Sequence, residues 1–183
     1  NIRKHYKDAD CKHVFQNPDK GLEFVLENLN SKMIVFIDWN FSGHHKKGID
    51  LLKEIRKKTS LLYIVIMSAN QLRTDIPLDS IIEMMNEENF FYLDRSNDDF
   101  ESVISIIDRV RSQWNTKFDC VLEQWLLRHP EDNGKEAFSE VSTGKKFTWA
   151  DILVELRQQT PIGKSFEQKL NEYYIYQLNR SKK

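Results

Sequence analysis

MIVFIDWNFSGHHKKGIDLLKEIR, residues Met33 to Arg56, carries the pattern from which the fold follows. Met33 to Ile37 is a continuous run of apolar and β-branched residues. Such a run suits a strand buried on both faces, as in a parallel sheet. The run stops at Asp38, and a polar loop with Gly43, His44, His45, Lys46 and Lys47 follows. Ile49, Leu51, Leu52 and Ile55 then recur at helical spacing. The order is strand, loop, helix, with a carboxylate at the strand's end. In open α/β sheets that end is where ligands bind. Taken alone, such an aspartate would more often cap a turn.

Working outward, the same alternation repeats. Cys11 to Gln16 is expected to form a short strand, and Asn17-Pro18-Asp19 a turn with Pro18 in the first helical turn. Leu22, Val25, Leu26 and Leu29 mark the helix that follows. Leu61 to Met67 is a second apolar strand, closing on Ser68-Ala69-Asn70. After Pro77 a helix carries Ile81, Ile82, Met84 and Met85, and Phe90 to Leu93 predicts a third strand, closing on Asp94-Arg95-Ser96. Asp98 or Asp99 would cap the next helix, with Phe100, Val103, Ile104, Ile107 and Val110 on one face. Strands alternating with helices imply an α/β fold with a doubly wound parallel sheet.

The helical spacing continues through Trp114, Phe118, Val121, Leu122 and Trp125, with a break near Asn115-Thr116 and an end at His129-Pro130. This region is expected to pack on the C-terminal part in preference to forming a coiled coil. Residues 131–146 are polar and suggest a linker or surface loop. Thr148 can cap a helix carrying Trp149, Ile152, Leu153 and Leu156. Thr160-Pro161-Ile162-Gly163 breaks it, and Ser165 with Gln168 suits a capping box for a last helix bearing Phe166, Leu170, Tyr173, Tyr174 and Leu178. Trp149 and these tyrosines are expected in the core. The domain division is therefore 1–114 for the α/β part and 115–183 for an all-helical extension or small output domain.

Composition narrows the function classes. The 183 residues are 40% hydrophobic, enough for one domain and an appendage. A net charge of -1 gives no electrostatic case for nucleic acid as the main partner. No apolar run approaches a membrane span, and the N-terminus lacks the order of a signal peptide. Cys11 and Cys120 lie far apart, which points to a reduced, cytoplasmic setting. Cys120 sits in a helical stripe and is expected to be buried and inert.

Three strand ends now matter together: Asp38, Ser68 and Arg95. Parallel neighbours would bring them to one edge of the sheet. A carboxylate can attack phosphorus, a hydroxyl can hydrogen-bond a phosphoryl oxygen, and a cation can neutralise the added charge. With these residues in view, residues 10–114 resemble the receiver domain of two-component response regulators. Asp38-Trp39-Asn40-Phe41, then Gly48 and LLKEIR, are similar to the chemotaxis receiver; Ser68-Ala69 matches the Thr/Ser-Ala pair, and Tyr92 the aromatic switch position. The resemblance implies a flavodoxin-like, receiver-like fold, with Asp38 as phosphoryl acceptor. Ser68 and Arg95 would bind phosphoryl oxygens, and Tyr92 would follow Ser68 in the switch. Mg²⁺ would be held by Asp38 and the backbone carbonyl of Asn40. The implied partner is a sensor histidine kinase or other signalling protein, and no enzyme activity is implied.

The chain departs from the family's pattern in several places. Arg95 stands where the family has lysine, and Ser96 where it has proline; the loop between Asp38 and Gly48 is longer by about two residues. An arginine keeps the charge but not the point geometry. Counting back from Asp38, the family's first strand and its acidic pair would fall before Asn1. Arg95, the longer loop and Ser96 support an alternative, a receiver that is not phosphorylated and serves as a protein-interaction or dimerisation module. A DNA-binding regulator through residues 147–180 is a third reading. It is weakened by Glu167 and Glu172, because a reading helix should be more basic. His44 and His45 beside Asp38 are weak metal candidates, since loop histidines are usually solvated. Gly163-Lys164-Ser165 is not a phosphate-binding loop: Gln158 stands at the required glycine and no strand precedes it.

Overall fold

The computed structural model describes residues 2–6, 13–69, 76–96 and 99–180. They form two compact units, Asn1–Gln113 and Trp114–Lys183. The first is an α/β unit around a three-stranded parallel sheet, and the expected strands are found with small shifts in their ends. β1 is Ile34–Asp38, β2 Tyr63–Ser68 and β3 Phe90–Asp94, in the order β1-β2-β3. The helices are α1 (Ile2–His5), α2 (Pro18–Glu27), α3 (Gly48–Arg56), α4 (Leu78–Met85) and α5 (Phe100–Trp114).

β2 is the middle strand, and Ile64, Val65 and Ile66 are completely buried. That is why its sequence is a continuous apolar run with no polar face. Strand residues alternate sides. Val35, Ile37, Ile64, Ile66, Phe90 and Tyr92 share one side and pack with Val25 and Leu29, with Leu52 and Ile55 of α3, and with Met84 of α4. On the other side the rings of Tyr63 and Phe91 stack at 6.4 Å, and the guanidinium of Arg109 on α5 lies 5.4 Å over the Phe91 ring. Asn17 caps α2 by accepting hydrogen bonds from the backbone of Asp19 and Lys20, with Pro18 at the first position. Asp99 accepts from the Ser102 backbone at 3.0 Å at the start of α5. Asp98 lies outside the described residues.

The strand expected over Cys11 to Gln16 is not found in its described part; residues 13–16 form no strand, and Cys11 and Lys12 lie outside the described residues. The physical reason is local. His13 and Phe15 place their rings against Phe24 of α2, at 4.4 and 5.2 Å, and Val14 points to solvent.

Tyr6, after α1, fastens the N-terminal segment to α5. Its hydroxyl donates to Asp108 Oδ1 at 2.6 Å, with the Ile104 carbonyl 3.3 Å away. Burial, then the Asp108 carboxylate, pushes the Tyr6 pKa up to about 12. The fold favours the neutral phenol, so this contribution to stability is complete below the ordinary tyrosine pKa of about 10 and fades as pH rises from there towards 12. Tyr6→Phe is expected to cost about 1 kcal/mol at neutral pH. In an alkaline absorbance titration it should remove one late-ionising tyrosine. An unchanged late step would show that another tyrosine carries it.

In the second unit the helices are α6 (Phe118–Arg128), α7 (Trp149–Arg157) and α8 (Pro161–Arg180). The all-helical expectation is corrected here. Residues 131–146, expected as a polar linker, contain a 3-10 turn at Pro130–Asp132 and strand β4 (Glu136–Ser139), which pairs antiparallel with β5 (Lys146–Thr148). Phe138 faces Phe147 across the pair, and Gly144, at φ +69, makes the tight turn. The hairpin buries Phe147 in a core with Leu122, Leu126, Ile152, Leu156 and Phe166. Its polar residues face solvent, which is why the segment looks like a loop by composition.

Thr148 caps α7 as expected: its Oγ1 accepts the Asp151 N–H at 3.2 Å, while Asp151 accepts the Thr148 N–H at 2.9 Å. The Thr148 N–H, and after it the Thr148 hydroxyl donating to Asp151 Oδ2 at 2.7 Å, hold the Asp151 carboxyl below its ordinary pKa. The expected capping box at Ser165 and Gln168 is displaced. α8 starts earlier, at Pro161, and Thr160 Oγ1 accepts the Gly163 N–H at 3.2 Å. Proline at the first helical position costs no bond, so it begins α8 instead of only breaking α7. Trp149 packs against the core, but Tyr173 and Tyr174 are more than half exposed, because α8 outruns the small core. The Cys120 thiol is buried and donates to Asp119 Oδ2 at 3.4 Å.

Candidate functional site

The sheet register builds the site. Asp38 lies opposite Met67, and Ser68 opposite Asp94. The ladder runs one residue past each strand. The Trp39 N–H donates to the Met67 carbonyl and the Arg95 N–H to the Ser68 carbonyl, each at 2.7 Å. Asp38, Ser68 and Arg95 therefore share one sheet edge, as the sequence predicts. Arg95 closes the set, with Nη1 donating to Asp38 Oδ2 at 3.0 Å. Its backbone is tied to Ser68 and its side chain to Asp38, so this one residue joins the other two.

Magnitudes distinguish a lock from a resting contact. The Arg95 and Asp38 side chains are 52% and 39% exposed. An exposed pair of this kind contributes only about 0–1 kcal/mol. Arg95 thus neutralises Asp38 without holding it fast, and an incoming anion could take the guanidinium over. Ser68, by contrast, is buried at 1% exposure. Tyr92 is half-buried two residues back along β3, on the side packed by α4.

Asn40 and the loop after it form a second shell of constraints. Asn40 pairs with Lys47 as an isolated antiparallel bridge, and Lys47 Nζ donates to Asn40 Oδ1 at 3.2 Å. The same ammonium lies 5.9 Å from the Trp39 ring centre. The Gly48 N–H donates to the Trp39 carbonyl at 2.9 Å. A Cβ at Gly48 would stand 2.7 Å from the Asp38 carbonyl oxygen, so only glycine lets α3 start this close to β1. Ser96 turns the chain after β3 by donating its N–H to Asp94 Oδ1 at 2.9 Å. Lys46 bonds Asp19 of α2, which raises the ammonium pKa above its ordinary value.

Sequence reasoning missed Lys47, Gly48 as a close-approach residue, and the Asp94–Ser96 turn. The available signals were Gly48 directly before the helical stripe and the Asp-Arg-Ser spacing of a side-chain turn. Among the described residues no three His, Cys, Asp or Glu side chains gather as a metal site, and His44 and His45 are exposed. For Mg²⁺, a hard cation that demands near-octahedral oxygen ligation, the expected donors are Asp38 and the Asn40 carbonyl. One carboxylate, already paired with a guanidinium, and one carbonyl do not complete such a shell.

Comparison with protein-family models, with curated proteins and with solved structures returns no match.

Proposed function

We propose that the chain is a receiver-like signalling module whose phosphoryl acceptor is Asp38. The observation that carries this reading is an accessible carboxylate with a weakly held guanidinium bonded to it at the carboxyl edge of a parallel sheet, where Ser68 ends the neighbouring strand. A carboxylate oxygen of Asp38 would attack the donor's phosphorus. A new P–O bond forms while the bond to the donor's leaving group breaks. The acyl phosphate carries more negative charge than the carboxylate it replaces. Arg95 is within reach to neutralise it, and Ser68, one row over on the neighbouring strand end, would have to turn its hydroxyl towards the phosphoryl group to donate to it. Rearrangement at Ser68 would reach Tyr92 through β2 and β3, whose residues face one another in register. Tyr92 also lines an open depression with Asp99, Ser102, Ser105 and Ile106. A partner docking there would sense the change. The phosphoryl group then biases a two-state element.

In this reading the α/β unit is a doubly wound, flavodoxin-like domain, which its three-stranded parallel sheet and alternating helices support. The donor is a sensor histidine kinase or another signalling protein in the cytoplasm. The second unit is the output or interaction part.

A second reading has its own support. A guanidinium already neutralises Asp38, and the described residues gather no metal-binding cluster around it. That suits a module kept for its surfaces and never phosphorylated. Incubating the protein with acetyl phosphate and Mg²⁺ separates the two. Intact mass should rise by one phosphoryl group, and Asp38→Asn should abolish the rise. A mass that stays constant in the wild type would reject the acceptor reading and leave the surface-only one.

A further inference from the structure

Lys47 ends the loop that returns from β1 to α3, and backbone contacts fix it beside the strand end. It pairs with Asn40 as an antiparallel bridge, and its own N–H donates to Asp50 Oδ2 at 2.8 Å. The next residue, Gly48, donates its N–H to the Trp39 carbonyl at 2.9 Å. A Cβ on Gly48 would stand 2.7 Å from the Asp38 carbonyl oxygen. Lys47 therefore starts one Cα step, ~3.8 Å, from a residue that touches Asp38. Its ammonium bonds Asn40 Oδ1 at 3.2 Å, two residues along the chain from Asp38.

The bonding of that ammonium is unusual for this unit. Lys46, Lys53 and Lys57 each pair with a carboxylate, on Asp19, Glu83 and Glu54. Lys47 bonds a neutral amide, and its ammonium lies 5.9 Å from the Trp39 ring centre. Among the described residues no carboxylate pairs with it. The edge thus holds one carboxylate, Asp38, against two cations, Arg95 and Lys47. A phosphoryl group carries a charge of about -1.5 to -2 at pH 7. Arg95 alone leaves part of that charge unmet, whereas Arg95 and Lys47 together balance it. Asn40, the residue that the resemblance pairs with Mg²⁺, here holds an ammonium.

We propose that Lys47 is a second oxyanion-binding cation of the Asp38 site, taking a phosphoryl oxygen beside Arg95. The proposal rests on the reading of Asp38 as the acceptor and names the group that completes its charge balance. The four-carbon stem lets the ammonium swing from Asn40 Oδ1 to an oxygen bound at Asp38, while the backbone contacts hold the stem's base still. The lysine forms no covalent bond and moves no proton. It contributes a charge-assisted hydrogen bond to the oxyanion, stronger than the one it leaves on a neutral amide.

Intact mass followed over time with acetyl phosphate and Mg²⁺ tests this on the full chain. Wild type should gain one phosphoryl group. Lys47→Met should gain it at least about tenfold more slowly. Lys47→Arg keeps the charge and should stay close to wild type. Lys53→Met removes an equal charge further along α3 and should leave the rate unchanged. A Lys47→Met rate equal to wild type, or Lys47→Arg as slow as Lys47→Met, would overturn the proposal and leave Asp38 as the acceptor. A wild type that takes no label would overturn the acceptor reading instead, and anion binding then decides the role of Lys47. Asp38→Asn removes the repelling carboxylate and releases Arg95, so inorganic phosphate should bind there. The indole N–H resonance of Trp39 should report it, since Nε1 is buried with no hydrogen-bond partner among the described residues and the ring lies near the ammonium. Adding Lys47→Met to Asp38→Asn should weaken this binding at least about tenfold. No phosphate binding to Asp38→Asn, or binding indifferent to Lys47→Met, would overturn the proposal.

Discussion

Arg157→Ala is expected to lower the stability of the second unit by about 3–5 kcal/mol, enough to leave a domain of ordinary stability near its unfolding threshold. The Arg157 side chain is 4% exposed. Its Nε bonds Asp119 Oδ2 at 3.2 Å, and its Nη1 bonds Glu123 Oε1 at 2.9 Å. Burial works against the guanidinium's charge. The hydrogen bonds and charges of Glu123 and Asp119 outweigh it and raise the Arg157 pKa above its ordinary value. The arginine therefore stays charged at every pH at which the protein is handled. Removing it would leave two carboxylates, 14% and 19% exposed, without their cation on the same turn pair of α6.

That cost comes mainly from the abandoned carboxylates and only partly from the lost attraction. A variant that neutralises all three, Arg157→Met with Asp119→Asn and Glu123→Gln, is therefore expected to recover most of the loss. Denaturant unfolding followed by tryptophan fluorescence would measure both, since Trp125 and Trp149 lie in this unit. A loss below about 1 kcal/mol for Arg157→Ala would mean that water solvates the carboxylates adequately in its absence.

Gly163→Ala is expected to destabilise the same unit by about 2 kcal/mol, against the direction that helix propensity alone would give. Within a helix, alanine is favoured over glycine by about 1 kcal/mol. At Gly163, however, a Cβ would lie 2.2 Å from the Glu155 carbonyl oxygen and 2.5 Å from its carbon. These are backbone atoms of α7 and cannot swing aside as a side-chain end could. Overpacking of this kind costs about 3 kcal/mol, so it wins. α8 would have to move away from α7, loosening Phe166 in the core. A thermal melt separates the alternatives: a raised melting temperature would show that α8 shifts freely and that the close contact is incidental. Glycine is thus present here for helix-to-helix approach, which also accounts for the chance likeness of Gly163-Lys164-Ser165 to a phosphate loop.

Much of the first unit was legible from order and periodicity. Leu61 to Met67 could be recognised as a buried strand because a middle strand has no polar face, and Ile64 to Ile66 are indeed fully buried. The break between α5 and α6 was legible because Asn115-Thr116 interrupts an otherwise regular stripe. The hairpin of β4 and β5 was not. Each of its strands is short, one face is polar, and only Phe138 and Phe147 carry the signal. The exposure of Tyr173 and Tyr174 was hidden for a related reason: periodicity shows that a face is apolar, but not whether anything covers it.

The candidate site divides in the same way. Strand ends determine which residues reach an edge, so Asp38, Ser68 and Arg95 could be named from the chain alone. Their contacts could not. The bond from Arg95 to Asp38, the capture of the Ser68 carbonyl by the Arg95 N–H, and the bridge of Lys47 to Asn40 depend on strand register and loop path.

By itself the sequence determined the alternation of strands and helices, the apolar core positions and the three polar strand ends, because these follow from side-chain periods of two and 3.6 along a single element. Only the tertiary structure decided that Arg95 neutralises Asp38, that Gly48 and Gly163 are close-approach residues, and that the end of α8 stands uncovered. Those facts depend on distances between elements far apart in the chain, and no local pattern encodes such a distance.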